Sequence, residues 1–156
     1  MKTVAEVLEL LAAEEVAYVD VRFTDPRGRL HHVTLDVDLV NEDFFEDGLM
    51  FDGSSVAGWK SVDQSDMKLM PDPATAYLDP FYAEKTLCLH CTVAEPDTGE
   101  PYSRDPRGTA VKAEAYLKAS GIGDVAWFGP EAEFFIFDDV RFSVTPQKVG
   151  YQIDAV

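Results

Sequence analysis

Glu131 and Glu133 stand in the run Glu131-Ala132-Glu133-Phe134-Phe135-Ile136-Phe137, two carboxylates one residue apart and followed by an apolar stretch. A β-strand has a period of two, so this spacing puts Glu131, Glu133, Phe135 and Phe137 on one face and Ala132, Phe134 and Ile136 on the other. Both faces end apolar, which predicts a strand inside a sheet. Two residues of strand separate the Cα atoms by roughly 6.6 Å. At that distance two anions in a medium of effective dielectric near 20 repel by about 2.5 kcal/mol. A buried pair tends to keep one proton or to recruit a divalent cation, and hard oxygen ligands suit Mg²⁺ or Mn²⁺. Two further readings stay open on the local pattern: a strand end with both carboxylates in solvent, and the acid and base of a glycoside hydrolase, whose inverting spacing is close to this one.

A second group of polar residues lies in Gly53-Ser54-Ser55-Val56-Ala57-Gly58-Trp59-Lys60-Ser61. This nearly spells the phosphate loop G-x-x-x-x-G-K-[ST], but Trp59 separates the second glycine from the lysine. No apolar strand precedes it and no helical pattern follows, so the amides that would cradle a phosphate are not expected. What remains is a flexible, hydroxyl-bearing loop next to one carboxylate, Asp52. Cys88 and Cys91 form a C-x-x-C in Thr86-Leu87-Cys88-Leu89-His90-Cys91. In a strand, positions three apart face opposite ways, and with no second C-x-x-C and only His90 nearby a zinc set is incomplete. Buried or half-buried strand cysteines are the expectation. His31 and His32, adjacent on a strand, likewise face opposite ways and read as ordinary strand residues.

These residues need elements to hold them. Thr3 and Glu6 make a capping box, and Val4, Val7, Leu8 and Leu11 recur with helical spacing, which predicts an opening helix of about three turns. Residues 17–25 and 29–37 flank the turn Asp25-Pro26-Arg27-Gly28 and predict a β-hairpin. A short acidic helix is expected over 41–46, closed by Gly48. Residues 50–80 read as irregular and rich in Gly, Ser, Asp and Pro, long enough to suggest a functional loop. A strand follows at 85–96. Asp105 as N-cap and Pro106 at the first helical position start a helix whose apolar face is Ala110, Ala113 and Leu117, stopped by Gly121. A strand is then expected over 124–142. The order is α+β, with Arg104-Asp105-Pro106 as the natural domain boundary.

At 156 residues and 46% hydrophobic the chain can bury a core, and 29 acidic against 13 basic side chains give a formal charge of −16. Such a field repels phosphate backbones and anionic lipids, so neither nucleic acid nor membrane is an expected partner. The first residues are amphipathic and acidic with no basic n-region or apolar h-region, and no stretch is apolar for long enough to span a bilayer, which predicts a cytoplasmic protein.

Taken together, residues 50–81, Tyr102-Ser103-Arg104-Asp105-Pro106-Arg107-Gly108 and residues 127–142 resemble, in unbroken order, the amino-terminal portion of bacterial type I glutamine synthetase. The resemblance implies a β-grasp-like N-terminal domain at 1–102, followed at 103–156 by the first helix and strands of an incomplete α/β catalytic domain. It implies that Glu131 and Glu133 bind the paired Mg²⁺ or Mn²⁺ ions. Asp52 and Ser55 would belong to the ammonium side of the site, in a loop that reaches the neighbouring subunit of a ring-shaped homo-oligomer. The implied reaction is ATP-dependent: glutamate becomes γ-glutamyl phosphate, and ammonia then displaces phosphate to give glutamine. The family's remaining metal ligands, ATP pocket and arginines have no counterpart up to Val156. The 156-residue chain alone is therefore expected to bind metal weakly and not to turn over, whether as a fragment of a complete synthetase or as a short, inactive paralogue serving as a regulatory or interaction subunit.

Overall fold

The computed structural model describes residues 2–155 and falls into two compact units, Met1–Val125 and Ala126–Val156. In the first, helix α1 (Val4–Ala13) opens on the expected capping box: the Thr3 side chain accepts from the Glu6 amide and Glu6 reaches back to the Thr3 amide. Its Val7 and Leu11 are buried. Strands β1 (Tyr18–Thr24) and β2 (Leu30–Asp36) form the predicted antiparallel hairpin, with Gly28 in the turn at φ +81°. Helix α2 (Glu42–Asp47) is capped by Asn41 and stopped by Gly48, whose φ of +75° few L-residues adopt. A Cβ at Gly48 would also sit 2.5 Å from the Leu69 carbonyl oxygen.

The region expected to be irregular contains three strands: β3 (Leu49–Asp52), β4 (Asp66–Pro71) and β5 (Tyr77–Leu78), joined by three-residue 3-10 turns. In β4 the period of two is complete, with Met67, Leu69 and Pro71 buried and Lys68 and Met70 half-buried, but the flanking Asp and Pro residues mask it in the sequence. Strand β6 (Thr86–Ala94) is central: it pairs parallel to β1 and antiparallel to β4, giving the order β2-β1-β6-β4-β3, while β5 pairs antiparallel with β6. Val19, Val21 and Phe23, Met67 and Leu69, and Leu87, Leu89 and Val93 join the residues from α1 and α2 in one core.

The hairpin and its neighbours also carry a polar network. Asp20 is fully buried, yet it accepts from Arg22 Nε and from the Thr34 hydroxyl at 2.7 Å each and lies 2.7 Å from His32 Nδ1. Arg22 continues to Asp79 at 2.8 Å and to the Tyr77 hydroxyl at 2.6 Å, which ties β1 to β5 and the segment after it. Burial pushes Asp20 up, but the hydrogen bonds from Arg22, Thr34 and His32 outweigh it and hold the carboxyl below its ordinary value.

Helix α3 (Pro106–Ser120) begins and ends at the predicted caps, Asp105 and Gly121. Its expected apolar face is not buried: Ala110 and Ala113 are exposed, Leu117 is half-buried, and only Gly108 is buried.

In the second unit the long strand expected over 124–142 forms only from Asp139. Strand β7 (Asp139–Thr145) pairs antiparallel with β8 (Lys148–Asp154), and residues 125–137 have no regular structure. A ladder needs a partner, and no strand among the described residues pairs with the Glu131–Phe137 run. Among the described residues none of the buried core comes from this unit, and Phe134, Phe135, Ile136, Phe142 and Tyr151 are each about four-fifths exposed, at 79, 85, 81, 78 and 80%.

Candidate functional site

Asp52 ends β3 and caps the 3-10 turn Gly53–Ser55. Its Oδ1 accepts from the Ser54 amide at 2.8 Å and from the Ser54 hydroxyl at 2.6 Å, while the Ser55 hydroxyl lies 3.4 Å from Oδ2. An aspartate that binds its own backbone two residues on makes a compact turn from Asp-Gly-Ser. These contacts, the Ser54 hydroxyl first and its amide second, hold the Asp52 carboxyl below the ordinary carboxylate range. Asp52 and Ser55 are both exposed. Oδ1 is thus committed to the turn, while Oδ2 is held more loosely. Sequence reading paired Asp52 with Ser55; the structure brings those two together and adds Ser54, which the Asp-Gly-Ser turn signature could have revealed.

Both ends of the loop are fastened. The Gly53 amide donates to the Ser65 carbonyl at 2.6 Å, and a Cβ on Gly53 would lie 2.4 Å from Met67 Cγ, so the backbone approaches β4 more closely than a side chain allows. At the other end the Trp59 indole is 5% exposed, with ring centroids 5.5 Å from Phe23, 5.9 Å from Phe51 and 5.4 Å from Tyr102. Tyr102 donates its hydroxyl to the Trp59 carbonyl at 3.0 Å, and Arg104 Nη1 donates to the Gly58 carbonyl at 2.5 Å. Lys60 pairs with Glu95 at 2.7 Å and lies 5.3 Å from the Tyr102 ring centroid. The near-match to a phosphate loop is therefore spent structurally, its lysine held by a carboxylate. An open depression of about 500 Å³ adjoins this region, lined by Lys60 and by Asp63, Asp66, Glu95 and Asp97 among others. Its acidic rim favours cations over anions.

The residues from Tyr102 to Gly108 are equally engaged. Asp105, 1% exposed, accepts from the Val93 amide of β6 and from the Gly108 amide at 3.0 Å each through Oδ2, and from the Arg107 amide through Oδ1. Arg107 in turn pairs with Asp72.

Glu131 and Glu133 belong to the second unit and are both exposed. The backbone around them is extended rather than paired, and Phe135 and Phe137 stack at 6.0 Å with an interplanar angle of 8°, as neighbours on one face do. The premise of a buried, mutually repelling pair does not hold here, because water reaches both carboxylates. Among the described residues no three His, Cys, Asp or Glu side chains gather closely enough to hold a metal ion. As donors, two exposed carboxylates fit part of the oxygen shell of a hard divalent cation, with the remaining ligands to come from elsewhere. Cys88 and Cys91 are buried free thiols, pushed up by burial to about 11 and about 12 respectively. No helix among the described residues is long and apolar enough to cross a membrane.

The family model described as the glutamine synthetase beta-Grasp domain matches residues 15–96, and the one described as the glutamine synthetase catalytic domain matches residues 103–156. The chain is 78% identical over 155 residues to a glutamine synthetase of Cereibacter sphaeroides, covering 99% of this chain and 33% of that one. It is 75% identical to that of Rhodobacter capsulatus, with 99% and 35% covered. It spans about a third of the length of the curated relatives it matches. Among solved structures, a cryo-EM glutamine synthetase of Plasmodium falciparum shares the fold with a TM-score of 0.77 at 23% identity, over 99% of this chain and 30% of that one.

Proposed function

The chain belongs to the glutamine synthetase family, and on that premise we propose that it supplies part of the active site of an ATP-dependent glutamate–ammonia ligase. Residues 1–102 form its β-grasp domain and residues 103–156 begin its catalytic domain. The observation that carries the reading is the Asp52 carboxylate: exposed, held below its ordinary pKa chiefly by Ser54, and with Oδ2 in a looser 3.4 Å contact with the Ser55 hydroxyl.

In the proposed reaction the γ-phosphoryl group of ATP passes to the side-chain carboxylate of glutamate, and ADP leaves. Ammonium binds beside Asp52, whose negative charge favours it over neutral competitors. Oδ2 then takes one proton from ammonium, which frees the nitrogen lone pair. That pair attacks the carbonyl carbon of the acyl phosphate, phosphate departs with the C–O bonding electrons, and the nitrogen gives its surplus proton to the departing phosphate, leaving the neutral amide. Ser55 contributes a hydrogen bond at the same loop. Glu131 and Glu133 would hold Mg²⁺ or Mn²⁺, which when bound neutralises charge on the transferring phosphoryl group and on the carboxylate. The Asp52 loop serves a neighbouring subunit of a homo-oligomeric ring, in a cytoplasmic enzyme of nitrogen metabolism. The family models, the acidic surface and the exposed position of the loop support these assignments.

In a full-length synthetase subunit bearing these residues, Asp52→Asn is expected to raise KM for ammonium well above any change in KM for ATP. Equal losses for both would contradict the assignment. Glu131→Ala and Glu133→Ala are each expected to weaken Mn²⁺ binding at least tenfold in a metal titration while the oligomer persists, one lost charged ligand being worth about 1.4 kcal/mol or more. Unchanged Mn²⁺ affinity in both would remove them from the metal site.

A further inference from the structure

The Tyr102–Gly108 motif has so far no task in the reaction, yet nearly every polar side chain in it is spent on a specific contact. Asp105 and Arg107 fasten it to β6 and to Asp72. Tyr102 and Arg104 point the other way in the chain's economy of bonds, to two consecutive carbonyls, Trp59 and Gly58, more than forty residues earlier. Those carbonyls end the loop that carries Asp52. We infer that Tyr102 and Arg104 are positioning residues for Asp52, a clasp that fixes the far end of its loop and so sets where the carboxylate stands relative to ammonium.

Three observations support the clasp. Gly58 has φ +83° and is exposed, with open space where a Cβ would be, so Gly58 adds no packing of its own and its carbonyl depends on a partner from elsewhere in the chain. The Arg104 guanidinium, 2.5 Å from the Gly58 oxygen and 3.5 Å from that of Trp59, supplies a charge-assisted hydrogen bond at that point. The Tyr102 ring packs against the Trp59 indole at 5.4 Å while its hydroxyl holds the Trp59 carbonyl, so one side chain anchors ring and backbone together. The near end is fixed by Gly53 on Ser65 and Met67, and two backbone hydrogen bonds, Trp59 N–H to the Val56 carbonyl and Val56 N–H to the Gly53 carbonyl at 3.2 Å each, join the two ends through the buried Val56. These bonds relay a shift at the Gly58–Trp59 peptide to the turn that Asp52 caps, and displacement of a reacting group by about 1 Å can cost on the order of a hundredfold in rate.

The inference rests on the proposed role of Asp52 in ammonium binding, and the test separates the two. In a full-length synthetase bearing these residues, Arg104→Ala, Arg104→Lys and Tyr102→Phe are compared with Asp52→Asn by steady-state kinetics and by amide hydrogen exchange across residues 53–60. Arg104→Ala is expected to speed exchange in the loop and to raise KM for ammonium about tenfold, with KM for ATP little changed. Arg104→Lys, which keeps a donor, restores part of both, and Tyr102→Phe, which keeps the ring, gives a smaller shift in the same direction. Unchanged exchange in Arg104→Ala overturns the clasp whatever the kinetics. Faster exchange with an unchanged ammonium KM, while Asp52→Asn raises it, overturns the positioning role and leaves Asp52 in place. An unchanged ammonium KM in Asp52→Asn itself overturns the role of Asp52 and the positioning role with it.

Discussion

At Asp52 the difference between the two neighbouring serines has a measurable consequence. Ser54 donates twice to Oδ1 and is the main reason the carboxyl sits below its usual range, whereas Ser55 is 3.4 Å from Oδ2. Removing the Ser54 hydroxyl lets the Asp52 pKa rise. Ser54→Ala is therefore expected to move the acid limb of kcat/KM for ammonium to higher pH, because the anion is then lost earlier as pH falls. Ser55→Ala should move that limb less. Coinciding limbs in all three enzymes would show that Asp52 does not titrate in that profile. The carboxylate itself was legible in the sequence as the one acid beside a hydroxyl-rich loop. The division of labour between its two oxygens was not, since it depends on a turn geometry that Ser54 and Ser55 satisfy unequally.

Among the elements, the helices and the first hairpin follow from their own residues: the Thr3–Glu6 box, Gly28, Asn41, Gly48, Asp105 and Gly121 all stand where the chain changes course. Strand β4 was hidden because its alternation is only five residues long and its polar positions carry Lys and Asp next to Pro. The extended run at Glu131 was over-read for the opposite reason, since alternation is local whereas a ladder requires a second strand. The Asp20 network could not be read at all, as it joins residues from β1, β2 and the segment after β5. Arg22→Ala leaves Asp20 buried without its strongest partner and is expected to cost roughly 3 kcal/mol in equilibrium urea unfolding. Because Asp20 is held below its unfolded value, its contribution is present above that value, near pH 4, and fades as pH falls through the native one. Asp20→Asn should accordingly flatten the acid side of the stability profile. A variant with wild-type slope below pH 4 would assign acid sensitivity to other carboxylates.

Over the whole molecule, order and burial are distributed unevenly. Among the described residues the first unit holds all the buried hydrophobic ones, while the second is a two-stranded hairpin and an extended run whose aromatic side chains face water. A lone hairpin is marginal in water. Limited thermolysin digestion of the 156-residue segment is expected to cut first within residues 126–138 and to leave a resistant fragment of roughly residues 1–125. Early cuts inside β1 or β6 would contradict that ranking. The charge of −16 opposes compaction of the entire chain, so the core must hold against self-repulsion. The parallel pairing of β1 with β6 has a bearing on synthesis. Tyr18 faces Thr86 across that ladder, so the central strand is born about 70 residues after its partner. At roughly 5–20 residues per second, the ribosome holds the β1–β2 hairpin for some seconds with a Val-rich edge unclaimed. Nascent chains in that interval are the ones most in need of a chaperone.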